Sequence, residues 1–243
     1  WKERDARISE IEDATPVSLS LLFFPKLLGL IVSLAVLYLA AIFTGIVAQS
    51  MYGYTRFELD VYLKSLLLID LSKQAIMAVL ALLVHYLINN RYIGYFAFIA
   101  IVITNSFIWS AFEINTNMLP YGARPDEVYS DMNGFGPFVP GLLWFTLYWS
   151  LFALVLLLVG RAFYVRGKET AFKTRIKLAG QRLKQQKMAL ALVILAFAGT
   201  AGWVYYNTQV INTYYSSKQY EQMRKDYELQ YKQYEQLPQP GWQ

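Results

Sequence analysis

GLLWFTLYWSLFALVLLLVGRAF, positions 141–163, is the stretch whose reading decides the fold. It is apolar almost throughout, and its one charge, Arg161, stands near the far end. A helix rises 1.5 Å per residue, so about 20 apolar residues cross the hydrocarbon core of a bilayer. Backbone at that depth must satisfy its own hydrogen bonds, which a helix does. Working outward, four more segments meet the length: Leu27–Gln49, Leu66–Ile88, Ile93–Phe112 and Met188–Tyr206. The second carries Asp70, Lys73 and His85 and is the least uniform. The whole chain is 56% hydrophobic and 16% charged, where soluble domains carry about 25% charge. The fold class that follows is all-α: a polytopic membrane bundle of about five transmembrane helices.

Charge gives the orientation. After the quoted stretch come Arg166, Lys168, Lys173, Arg175, Lys177, Arg182, Lys184 and Lys187, with only Glu169 opposing them. Short loops rich in Lys and Arg stay in the cytoplasm. Before the stretch, residues 113–140 hold Glu113, Asp126, Glu127 and Asp131 against Arg124 alone, so this loop is expected outside. Counting spans from these anchors places the N-terminus inside and the C-terminus outside. Arg91, in the tight turn Asn89–Tyr92 that makes spans two and three an antiparallel hairpin, then falls inside.

The expected domains are a cytoplasmic amphipathic helix at 1–18, membrane spans at 19–164 with the outer loop 113–140, a basic amphipathic segment at 165–187, an extra span at 188–206, and a Tyr-rich helix or linker at 207–243. In the first of these, Ile8, Ile11 and Ala14 share a helical face, and Pro16 biases Thr15 away from helix. In the basic segment, Phe172, Ile176, Ala179 and Leu183 form an apolar stripe among cations, as on a helix lying on an anionic leaflet. Lys173, Arg175, Lys177, Arg182 and Lys184 are its candidate lipid-headgroup contacts. In the tail, Tyr220, Met223, Tyr227, Tyr231 and Tyr234 share a face, and Pro238 and Pro240 are expected to end the helix. The chain opens on Trp1 without a signal-peptide pattern, and is expected to be an internal piece of a longer polypeptide or a processed product.

The outer loop mixes aromatics with Gly and Pro, which suggests a segment dipping into the membrane. Two readings stand: an external gate with Tyr129, Asp131, Asn133 and Phe135 as candidates, or a packed cap. Asp131 and Asn133 supply too few oxygens at the right spacing for a calcium loop. Asp70 and Lys73, three residues apart, are an intramembrane polar pair, either structural or a relay. His85 reads as a packing or interfacial residue near a helix end. No cysteine is present, and a single histidine excludes H-E-x-x-H. Gly167-Lys168 is followed by Glu169 and lacks the earlier glycine of a phosphate-binding loop, and no G-x-S-x-G occurs. No catalytic residue, metal site or cofactor is expected in the chain. Lipid headgroups, not nucleic acid, are the expected partner of the basic segment.

The opening residues 3–18, with Ala14-Thr-Pro-Val-Ser18, resemble the coupling-helix region of type-2 ABC exporter permeases. The order of spans and the large outer loop fit one half of such a permease after its coupling helix. The turn Leu87-Ile-Asn-Asn-Arg-Tyr-Ile-Gly94, the segment Tyr129-Ser-Asp-Met-Asn-Gly-Phe-Gly136 and the start Leu143-Trp-Phe-Thr-Leu-Tyr-Trp149 resemble bacterial fusions in which permease spans precede an aminopeptidase N-like zinc metallopeptidase. The resemblance implies an exporter permease of the bacterial inner membrane, powered by a separate ATPase subunit. Arg4, Asp5, Arg7, Glu10, Glu12 and Asp13 would contact that subunit. Further implied partners are a second permease half or homodimer partner, anionic lipids and a periplasmic metallopeptidase domain. The peptidase zinc motif has no counterpart here, so no zinc-binding residue is carried over. The alternative is a membrane anchor that presents a periplasmic peptidase. An ion-coupled transporter using Asp70 and Lys73 should show inverted repeats and broken mid-membrane helices, and neither is visible.

Overall fold

Asn90 starts a helix where the chain reverses: its side-chain oxygen accepts from the backbone N–H of Tyr92 and Ile93 at 3.0 and 3.1 Å. This cap satisfies donors that a helix start leaves open. The computed structural model describes Glu3 and residues 6–166, 172–212 and 214–235. It contains a short helix α1 (Ile8–Ala14), then α2 (Leu19–Met51), α3 (Leu59–Leu87), α4 (Arg91–Ala111), α5 (Val139–Phe163), α6 (Phe172–Gln185), α7 (Lys187–Ile211) and α8 (Ser217–Tyr231). No strand occurs among the described residues. Among the described residues, helices α2, α3, α4, α5 and α7 are the five long and apolar enough to cross a membrane.

α1 stops at Ala14, with Thr15 extended ahead of Pro16. The Ser18 hydroxyl then accepts from Leu21 N and opens α2. α2 begins before the apolar run itself, with Pro25 in its second turn and Lys26 inside it. The Lys26 ammonium pairs with Glu3 and lies 5.8 Å from the centre of the Tyr164 ring, so its charge is held at the helix end. α3 is a π-helix over Leu63–Asp70 and α7 over Tyr206–Ile211.

The bundle is organised about α3 and α5, which supply most buried side chains. From α3 come Ile76, Val79, Leu83 and Val84; from α5 come Phe145, Tyr148, Trp149, Ala153 and Leu157. Phe23 of α2 and Val204 of α7 close the core from two sides. α4 packs along α3 at a spot where only glycine fits: a Cβ on Gly94 would overlap the His85 imidazole. The same imidazole meets the Tyr95 ring edge-on at 4.7 Å, so His85 is an interhelical packing group.

The two ends of the bundle differ. α1 and the cationic α6 lie at one end, where Arg166, just after α5, donates to the carbonyls of Asp13 (3.1 Å), Val17 (2.9 Å) and Thr15. The 112–138 loop and α8 lie at the other. There Asn115 N donates to the Tyr214 hydroxyl at 2.9 Å, and Lys218 pairs with Glu113 at 3.0 Å. A reciprocal capping box between Ser216 and Gln219 starts α8. Tyr227, Tyr231 and Tyr234 follow one another along its exposed face, with rings 4.4 and 6.3 Å apart. Pro238 and Pro240 lie outside the described residues.

Candidate functional site

At the loop end, residues 117–124 enter between the helices. Asn105 of α4 receives Tyr121 N at 2.9 Å and donates to Tyr121 O at 3.3 Å, so one amide side chain holds both polar groups of a loop residue. The Tyr121 hydroxyl donates to Ile76 O at 2.8 Å, well inside α3, and its ring meets Trp149 edge-on at 5.3 Å. Burial pushes this phenol's pKa up. Tyr148 donates to Met118 O and Trp149 to Asn117 O, at 3.0 and 3.3 Å. Non-helical backbone is thereby satisfied within the protein. Gly122 has φ of +74°, a turn that disfavours any side chain.

Arg124 locks this insertion. It donates to the hydroxyls of Ser72 (3.0 Å) and Thr146 (3.1 Å) and to Ile69 O (2.8 Å), bridging α3 and α5. The Ile69 carbonyl sits in the π-helical stretch of α3. Burial lowers the pKa of Arg124, while Glu127 and Asp70 act to raise it.

The gate candidates lie elsewhere in the loop. Tyr129, Asp131 and Asn133 are exposed and Phe135 is half-buried. They form a peripheral turn, closed by paired backbone bonds between Ser130 and Gly134, with Tyr129 against Phe135 at 5.4 Å. The part of the loop that plugs the bundle is centred on Tyr121 and Arg124. The aromatic-Gly-Pro pattern is common to both halves of the loop, and only the distant partners on α3, α4 and α5 separate them. Asp70 and Lys73 form no ion pair with each other among the described residues. Asp70 instead lies within electrostatic reach of Tyr38 and Arg124, while Lys73 faces outward.

At the other end, α6 lies across the ends of α3 and α5. Its inward face is Arg175, Ala179 and Arg182, continued by Gln186 just beyond its end, at spacings of four, three and four. Arg175, only 5% exposed, donates to the carbonyls of Tyr86, Leu87 (3.2 Å) and Phe163 (3.5 Å). Arg182 donates to Ala162 O and Tyr164 O at 2.9 and 2.6 Å, and Gln186 to Leu158 O at 3.0 Å. The final carbonyls of a helix lack intrahelical partners, and a guanidinium presents five donors in a planar fork. Arg175 is therefore a carbonyl cap rather than a headgroup contact, and Arg182 is anchored to carbonyls through Nη1. Lys173, Lys177 and Lys184 are exposed and remain free to meet headgroups. Phe172 and Ile176 are exposed beside them, between the inward face and the lysines.

Of the ATPase-contact candidates, Arg4 and Asp5 lie outside the described residues. Arg7 and Glu10 are exposed, and Glu12 and Asp13 are half-buried. The segment from Asp13 to Val17 is held by the three Arg166 bonds described above.

No family model matches the sequence, and neither a curated protein nor a solved structure matches it. Fold and site together define a class: an all-helical membrane protein with five candidate spans, plugged at one end by a loop and strapped at the other by a cationic helix.

Proposed function

We propose that the chain is the membrane-spanning permease part of an ABC-type exporter of the bacterial inner membrane, driven by a separate ATPase subunit that engages α1. The α1 end is cytoplasmic and the loop end periplasmic, in keeping with the distribution of Lys and Arg. The observation that carries this reading is the Arg166 clamp. It ties the Ala14-Thr-Pro-Val-Ser18 segment to the end of α5, so a push on α1 is delivered to one of the two central helices. α5 in turn holds the inserted loop through Thr146, Tyr148 and Trp149. A second permease half or a second copy completes the pathway, since α2 and α4 present long apolar faces outward.

A second reading is a membrane anchor that presents a periplasmic metallopeptidase domain. It is favoured by the fastening of the tail to the loop through Tyr214 and Lys218, which would fix the orientation of whatever follows α8.

The test uses the native complex. Reversing Glu10 and Glu12 to Lys is expected to cut stimulation of the partner ATPase at least about tenfold, equivalent to about 1.4 kcal/mol of lost coupling. Thermal stability should fall far less than coupling, because neither side chain is part of the buried core. Full stimulation by the variant, or a native complex without an ATPase, would leave the anchor reading standing.

A further inference from the structure

Where α5, α6 and the start of α2 meet, they leave a cavity of about 300 Å³ lined by Leu19, Arg161, Ala162, Arg166, Arg182, Gln185 and Gln186. Three guanidinium-bearing side chains line it, and no carboxylate does among the described residues. We propose that this cavity is a binding site for a phosphate group, either of an anionic lipid headgroup or of a soluble phosphate.

Geometry supports this. Arg166 directs all three of its nitrogens to backbone carbonyls, so it is fixed in place as one wall. Arg182 makes both of its bonds through Nη1, to Ala162 O and Tyr164 O. Arg161 bonds Gln186 Oε1 through Nη1, and its Nε is buried without a partner. Both arginines are therefore anchored at Nη1 and keep Nη2 for a ligand. Anchored, planar donors of this kind suit the oxygens of a phosphate. Like charges gathered in a half-buried space repel one another. The pKa of Arg182 is lowered first by burial and then by Arg161 and Arg166, and an oxyanion among them would relieve that repulsion.

The site is distinct from the lysines on the outer face of α6, and does not depend on what the bundle transports. A ligand there would join α5, α6 and α2 just where Arg166 holds the α1 segment, and would stiffen that connection.

Thermal unfolding of the purified chain in neutral detergent, followed by tryptophan fluorescence, tests the proposal. Sodium phosphate is compared with sodium chloride at matched ionic strength, and short-chain phosphatidylglycerol with phosphatidylcholine. A ligand bound only to the folded state raises the transition temperature with its concentration. Gln185→Glu places a carboxylate in the cavity without removing any described bond. It is expected to raise the ligand-free transition temperature and to weaken the response at least about tenfold in midpoint concentration. Arg161→Gln should weaken it likewise. A response to phosphatidylglycerol alone identifies a headgroup as the source, and a response to both identifies a site open to free phosphate. Equal responses in wild type and Gln185→Glu, or none beyond the chloride and phosphatidylcholine controls, would overturn the proposal.

Discussion

Replacing Arg175 with Ala is expected to destabilise the protein by about 3 kcal/mol, since two or three carbonyls lose a charged donor worth about 1.5–3 kcal/mol each, with partial repair by water. The side chain is 5% exposed and is the one buried charged residue among those described. Its donors reach Tyr86 and Leu87 at the end of α3 and Phe163 at the end of α5, so a single truncation loosens both central helices from α6. Lysine is not an adequate substitute, because an ammonium cannot span carbonyls on two helices as a planar fork does. Denaturant titration in detergent measures the loss. Lys173→Ala and Lys177→Ala, on the exposed side of α6, are expected to change stability by no more than about 0.5 kcal/mol, and to reduce association with anionic vesicles instead. If Arg175→Ala were as stable as the lysine variants, α6 would not strap the bundle.

Arg124→Ala is expected to release the inserted loop. Three bonds to Ser72, Thr146 and Ile69 disappear, and Asp70 loses a nearby cation. A cost of about 2–3 kcal/mol follows from removing a charged donor among partly buried acceptors. Local opening should exceed global loss, because Tyr121 stays tied to Asn105 and Ile76. Hydrogen exchange of amides 117–124 should therefore accelerate at least about tenfold, while amides of α5 change little. An unchanged exchange rate in that segment would mean that Arg124 does not hold the loop.

The helices were legible because a bilayer imposes a length on them. The apolar runs beginning at Ile93, Gly141 and Met188 lie within two residues of the starts of α4, α5 and α7. The start of α2 was not visible, because Lys26 interrupts the apolar run and its partner Glu3 is distant in sequence. The extension of α3 back to Leu59 carries Asp60 and Lys64 and runs into the π-helix that begins at Leu63, so it adds no apolar run. α6 was legible as an amphipathic helix, but its working face was not. A count of cations treats Arg and Lys alike, whereas the fold turns Arg175 and Arg182 inward to carbonyls and leaves the lysines outside. Likewise the aromatics and turn formers of the loop were readable, but not which half of it packs between the helices. That is decided by Asn105, Ser72 and Thr146, residues from other helices whose roles appear only when the chain is folded.

The proposal that the chain crosses the membrane five times, with α6 and α8 on opposite sides, is tested most directly by thiol accessibility. The chain has no cysteine, so Lys177→Cys and Tyr227→Cys each carry a single thiol at an exposed position. A membrane-impermeant maleimide applied to intact spheroplasts is expected to label position 227, and to label position 177 only after the membrane is opened. Labelling of both positions from the same side would contradict the arrangement.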